Sequence, residues 1–205
     1  MTSQAAHTRS HAWGWIRQRA PSLAAMVCLT FSAAAQADWQ LDGDASRLDF
    51  ISTKASHIAE THTFDELSGT VTDQGQASIS IDLSSVNTGI DIRNQRMQNL
   101  LFNVVAFPTA EITANIDMQQ ISVPSSQAMP ISASLSLAGA TTAVSAEVLV
   151  STTDNNAVTV TTLAPIVLNA ADLKLQPGID ALRDIAGLPA ISYAVPVTFS
   201  LTFTR

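Results

Sequence analysis

Between Val195 and Phe203 the chain reads Val, Pro, Val, Thr, Phe, Ser, Leu, Thr, Phe. Large apolar residues hold every odd position, and Pro196, Thr198, Ser200 and Thr202 hold the even ones. Side chains on a β-strand alternate between its faces, so this spacing describes a strand with one oily and one wetter face. The rhythm recurs along the chain. Leu48–Thr53 sets Leu48, Phe50 and Ser52 on one side. Gln76–Leu83 sets Ala77, Ile79, Ile81 and Leu83 against Ser78, Ser80 and Asp82. With Thr70–Thr72 it predicts a hairpin turning at Asp73-Gln74-Gly75, where the glycine supplies a positive φ. Ala110–Met118 sets Ala110, Ile112, Ala114, Ile116 and Met118 against Glu111, Thr113, Asn115 and Asp117. Ile131–Leu137 alternates with serines, and Thr142–Ser151 and Ala157–Leu168 form a further pair around Asp154-Asn155-Asn156.

Two stretches depart from the period of two. Asp91–Phe102 spaces Ile92, Met97, Leu100 and Leu101 among polar residues, and reads as a short helix or irregular crossover with Asp91 as N-cap. Asn169–Gly187 repeats Ile179, Leu182 and Ile185 at intervals of three before Gly187 and Pro189, and reads as two short helical turns. The whole is an all-β pattern: an antiparallel barrel or sandwich of roughly eight strands with one or two short helical segments. Closure would remove exposed edges, and about eight strands leave room for packed side chains or for one slender ligand. Ala77, Ala110, Ala114, Ala133 and Ala146 sit among the apolar positions. Small residues there favour an open interior, unless the opposite wall packs against them.

Composition changes the picture at the start of the chain. His7, Arg9, Arg17 and Arg19 precede the small, apolar run Ala20–Ala35, and Ala35-Gln36-Ala37 follows. That is the layout of a secretory signal peptide over residues 1–37, leaving one domain at 38–205. The apolar run is shorter than the ~20 residues that span a bilayer. Cys28, the one cysteine, lies inside it, so the remainder has no disulfide and no thiol chemistry. All 17 acidic residues but only seven of the 10 Lys and Arg follow residue 37. An excess of negative charge excludes nucleic acid and anionic membrane surfaces as natural partners. No later segment is long and apolar enough to be an integral membrane helix.

Candidate chemistry is sparse. There is no Gly-x-Ser-x-Gly elbow, no His-Glu-x-x-His and no phosphate-cradling Gly-Lys-Ser loop, so no enzyme and no catalytic residue are expected. Arg93 and Arg96 are three apart on a helical turn and can share a face. They either meet a ligand oxygen or pair with carboxylates such as Asp91 or Glu111. His57, Glu60 and His62 offer imidazole and carboxylate, but at a spacing too loose for a zinc set. Glu60 and His62 share strand parity, and His57 joins them only across a turn. A structural or hydrogen-bonding role is favoured over a metal.

Several segments resemble the YceI-like family in order along the chain. These are Leu41-Asp42, Phe50, Phe64 through Gly69, and Ile81-Asp82-Leu83-Ser84-Ser85-Val86-Asn87-Thr88-Gly89. Arg93, Met97, Leu101-Phe102 and Phe107-Pro108 continue the pattern, then Leu135 through Thr141, Ala186-Gly187-Leu188-Pro189 and Val195-Pro196-Val197. The chain departs from it at Arg96 and Lys54, where many members carry histidine. The resemblance implies an eight-stranded lipocalin-like barrel, exported to the periplasm, that carries a long isoprenoid lipid or quinone in its tunnel and needs no other cofactor. Expected tunnel-lining residues are Phe50, Phe64, Ile79, Ile81, Leu83, Phe102, Phe107, Ile112, Ala114, Ile116, Ala133, Leu135, Phe199 and Leu201, with Arg93 and Arg96 at the head group. Alternatives are a structural or partner-binding barrel with a filled core, and a metal- or haem-associated accessory protein using His57 and His62. A homodimer is left open.

Overall fold

The first strand, β1 (Trp39–Lys54), is 16 residues long and changes partner along its length. Its start pairs with β3 (Leu67–Val71) and its end with β2 (Ile58–Phe64), while its other edge pairs with β11 (Ala194–Thr204). Between these run β4 (Gln76–Asp82), β5 (Val86–Asn87), β6 (Thr109–Asn115), β7 (Ser125–Leu137), β8 (Ala140–Thr152), β9 (Ala157–Thr162) and β10 (Ile166–Asn169). The computed structural model describes residues 38–152 and 156–205. The expected signal peptide, residues 1–37, and Asp154 and Asn155 of the expected turn lie outside the described residues.

The order β1-β11-β9-β8-β7-β6-β4-β3 returns to β1, so eight antiparallel strands close a ring. At one end, called upper here, β2 continues the sheet beside β1 and β10 beside β11. A crossover covers this end. Helix α1 (Asp91–Arg96) runs into a π-helical turn at Met97–Phe102, against which α2 (Gln176–Ile185) packs. The fit is close: a Cβ at Gly178 would stand 2.6 Å from the Leu100 carbonyl oxygen. Tyr193 ties α2 to the approach to β11 by donating to Asp180 at 2.8 Å.

Alternation within strands appears as expected, with corrections at the ends. The stretch 157–168 is two strands rather than one, because β9 pairs with the lower part of β11 and β10 with its upper part. Pro165, which has no N–H to give a ladder, lies in the break. Strand β6 stops at Asn115, and Met118 opens a 3₁₀ turn whose N-cap is Asp117, its side chain accepting from Gln119 N at 3.1 Å. Asp91 is not the N-cap of α1. Ile90 holds that position in extended geometry, and Asp91 is the first helical residue, where its charge suits the helix dipole. For strand β2 the sequence pattern showed only the shared parity of Glu60 and His62, not its bounds.

The β3–β4 turn at Asp73-Gln74-Gly75 forms as expected. Gly75 has φ of 83° and accepts from Ile116 N at 2.7 Å, and a Cβ there would lie 1.8 Å from the Ile116 carbonyl oxygen. Both the backbone conformation and the space demand glycine. Replacing Gly75 with Ala is expected to lower unfolding free energy by about 2 kcal/mol or more. Urea titration should show a lower midpoint with an unchanged slope.

Candidate ligand cavity

The barrel interior is hollow because a row of small residues crosses it. Register places Ala77 of β4 beside Ala114 of β6, Ala114 beside Ala133 of β7, and Ala133 beside Val144 of β8. All four line a lower cavity of about 420 Å³. One step up, Ile79, Ile112 and Leu135 form a bulkier row on the same strands. Ile112 and Leu135 also line a second, upper cavity of about 390 Å³. Leu48, Leu168 and Val197 are likewise common to both. These five apolar side chains make a waist between two adjoining lobes. Each lobe has the size typical of a small-molecule site.

The lower lobe ends at Trp39, Asp73 and Arg205. The Arg205 guanidinium lies 4.3 Å from the Trp39 ring centre and 3.5 Å from Asp73. The upper lobe is roofed by Ile90, Ile92, Met97 and Leu101 of the crossover and by Ile179 and Leu182 of α2. Its wall carries an aromatic chain. Phe50 and Phe64 lie 5.4 Å apart, Phe64 and Phe102 5.9 Å, and Phe50 and His62 5.2 Å between ring centres.

The polar groups of the interior concentrate in this upper lobe. The turn at Ala55–His57 folds β2 back on β1 so that Ser52 opposes Glu60 and Phe50 opposes His62. All even-numbered side chains of the hairpin therefore share a face. Lys54 Nζ and Arg93 Nη1 both reach Oε2 of Glu60, at 2.7 and 2.8 Å. Arg93 Nη2 donates to the Thr88 carbonyl at 2.6 Å, while its Nε is buried without a partner. The hydrogen bond from Lys54, with the charge of Arg93, holds the Glu60 carboxyl below its ordinary range despite partial burial. His62 is only 4% exposed. Its Nε2 lies 2.8 Å from Ser52 Oγ, and its Nδ1 has no partner. Burial first, and then the charge of Arg93, pushes the imidazole below its usual value of 6.5, against the pull of Glu60. It is therefore neutral at pH 7.

Of the residues expected to line a tunnel, Ile79, Ala114, Ile116, Ala133, Phe199 and Leu201 face the lower lobe. Phe50, Phe64, Ile81, Leu83 and Phe102 face the upper one, and Ile112 and Leu135 face both. Phe107 is the exception. It lines neither lobe and is 37% exposed, its ring lying under the β7–β8 turn, 2.8 Å from where a Cβ on Gly139 would stand. Arg93 and Arg96 both line the upper lobe, but neither pairs with Asp91 or Glu111; Glu111 instead accepts from Ser80 at 2.8 Å. The Arg96 side chain makes no hydrogen bond or ion pair among the described residues. His57 is exposed in the turn, and no group of three or more metal-ligating side chains exists among the described residues. Sequence reasoning missed Ser52 as the partner of His62, Lys54 as an ion-pair partner, and Trp39 and Val144 as cavity walls. Parity across the β1–β2 hairpin would have found the first two.

A closed eight-stranded antiparallel ring around an apolar, two-lobed interior is a lipocalin-like barrel. The YceI-like domain model matches residues 39–203, and the chain belongs to the YceI-like family. It is similar to a polyisoprenoid binding domain from Saccharophagus degradans implicated in plant cell wall breakdown. That match has 38% identity and a TM-score of 0.78, covering 82% of this chain and 98% of that one. The fold also resembles BcnA of Burkholderia cenocepacia, with 18% identity and a TM-score of 0.62 over 79% of this chain and 98% of that one. No curated protein sequence matches.

The buried imidazole has a measurable consequence. Its folded proton affinity is below that of the unfolded chain, so the unfolded state binds more protons once pH falls below about 6.5. Stability contributed by neutral His62 is complete above that point and declines as pH drops through the lower folded value. Urea unfolding at a series of pH values should show this decline in the wild type and a shallower one in His62→Gln.

Proposed function

We propose that the chain is a periplasmic carrier that holds a long-chain isoprenoid lipid or quinone, its tail in the two lobes and its head near Arg93 and Arg96. The carrying observation is the pair of adjoining apolar lobes, the lower of them lined by Ala77, Ala114 and Ala133. Each buried methylene gains ~0.8 kcal/mol on leaving water, so a tail of many carbons binds with little polar help even after ordering costs. A tail occupying both lobes passes the waist at Leu48, Ile112, Leu135, Leu168 and Val197. The similarity to a polyisoprenoid binding domain at 38% identity supports the same reading. So does the signal-peptide pattern of residues 1–37, which suits export to an aqueous compartment where such a lipid needs a container. The reading is of binding rather than catalysis: among the described residues of the two lobes, the hydroxyl paired with a base is that of Ser52, with His62, and no catalytic motif accompanies it.

The filled-core alternative predicts tolerance of added bulk only at the surface, whereas an occupied lumen predicts a specific loss. Ala114→Trp and Ala133→Trp should each fold, with unchanged β-sheet circular dichroism, yet lose the lipid that accompanies the wild type in native mass spectrometry. Undiminished lipid in both variants would remove the lower lobe from the binding site.

A further inference from the structure

The barrel wall is not laddered over its whole height. Strand β9 pairs with β8 only along Val148–Thr152, and above that Leu163 N donates to the Glu147 carbonyl at 2.9 Å. There the seam ends. Strand β10 takes the place of β9 beside β11, and among the described residues β11 is its one ladder partner. Residues 140–146 of β8 and residues 166–169 of β10 are therefore two strand edges with no ladder between them. Leu137 and Ala140 pair across the turn at Ala138-Gly139, and alternation from there aims the backbone N–H and C=O of Thr141, Ala143 and Ser145 at this gap. The Glu147 carbonyl, which meets Leu163, obeys the same alternation. Thr141, Ala143 and Ser145 are exposed, so water reaches the edge from outside. From inside, Val144 and Ala146 on one side of the gap and Ile166 and Leu168 on the other line the cavity.

A bare, uncharged strand edge is normally covered. Here the cover is the segment 170–175. Ala170, Leu173 and Leu175 are buried, pack with Ala140 and Leu135, and line the upper lobe. The hydrogen bonds of this segment all lie on the β10–β11 side. Ala170 N donates to the Tyr193 carbonyl at 2.8 Å, and Asp172 N to the Asn169 carbonyl at 3.0 Å. Ala171 N donates to Asn169 Oδ1 at 3.0 Å. Leu175 N donates back to the Ala170 carbonyl at 2.9 Å. Among the described residues none reaches β8, which the segment meets only through apolar side chains. Lys174 has φ of 56°, a left-handed conformation that costs energy in a residue with a side chain. The segment is thus fastened at one side of the gap, greasy against the other, and strained when closed.

We propose that this segment is a side door: the guest enters and leaves the barrel between β8 and β10, when residues 170–175 swing away from Ala140 and Val144. This rests on the carrier reading above and adds the route to it. The two strand edges stay fixed by their outer ladders, so opening costs apolar contact and no sheet hydrogen bond. The roof is harder to lift, because Arg93 holds Glu60 and Phe102 stands against Phe64.

The test staples the door. Residues 38–205 contain no cysteine, so Ala143→Cys with Asp172→Cys, both exposed positions outside the cavity lining, makes a unique pair there. A flexible bismaleimide joins them, and the same variant capped with N-ethylmaleimide is the unlinked control. The probe is all-trans-retinol, an isoprenoid whose own fluorescence reports burial, followed by stopped flow with delipidated protein. Stapling is expected to slow association and dissociation alike, by at least about tenfold, and to leave Kd unchanged, because a gate sets a barrier and not the end states. Asn169→Ala removes the side-chain bond to Ala171 without touching the lining, and should speed both rates at constant Kd. Unchanged rates in both the stapled protein and Asn169→Ala would overturn the side door and leave the roof as the route. A Kd that worsens in step with a slower association would also overturn it, since that is damage to the cavity. Wild-type protein that takes up no retinol would instead overturn the carrier reading.

Discussion

Everything inside the barrel depends on the hydrogen-bonded seam between β1 and β11. Gln40–Asp42 pair with Thr202–Thr204, and Arg47–Phe50 with Val197–Ser200, with an irregular stretch between. Ser46 bridges that stretch, its Oγ accepting from Thr202 N at 3.0 Å where the ladder is interrupted. An apolar sheet face is stable only when something covers it. In this chain the covering wall for β4, β6 and β7 is the opposite side of the same sheet, so the seam supplies both the strand pairing and the burial. Without it the alanine row would be an exposed hydrophobic surface rather than the wall of a space, and two strand edges would be open to other chains.

The seam also explains why the two ends of the barrel differ. Below the irregularity, β1 and β11 belong to a regular ring that ends in a small polar closure at Trp39, Asp73 and Arg205. Above it they acquire β2 and β10 as extra neighbours, and the sheet extends past the ring. That extension needs a roof, which the crossover and α2 provide. Roof and hairpin meet through the ion pair of Arg93 with Glu60, through Phe102 against Phe64, and through backbone bonds from the hairpin tip to Ala190 and Ser192. The lower lobe is bounded by backbone ladders that cannot shift without breaking.

Much of this was legible in the sequence where a physical rule acts locally. Period-two alternation marked Gln76–Leu83 and Val195–Phe203, and Gly75 marked a turn, because one face is buried and one backbone angle is positive. Inward alanines marked the hollow. The β1–β2 hairpin was not legible. Its tip has Ala55 and Ser56 in the left-handed region, where glycine or asparagine would have signalled a turn. The conformation is held from outside, by Ala55 N donating to the Ala190 carbonyl and Ser192 N donating to the Thr53 carbonyl. Contacts from residues more than 130 positions away leave no local trace. The Ser52–His62 and Lys54–Glu60 pairings were hidden with the hairpin. Phe107 was misplaced for a related reason: an aromatic beside a strand says that it packs, but not on which side.

The alanine row bears on how such a barrel diversifies. Ala77, Ala114 and Ala133 contribute their methyl groups to the void and their backbones to the ladder. The first function is set by side-chain volume and the second is indifferent to it. Capacity and architecture are thereby uncoupled, so exchanging one of these alanines for valine or leucine would trim the lumen without disturbing the frame. A single scaffold can in this way be re-gauged for guests of different length, one codon at a time.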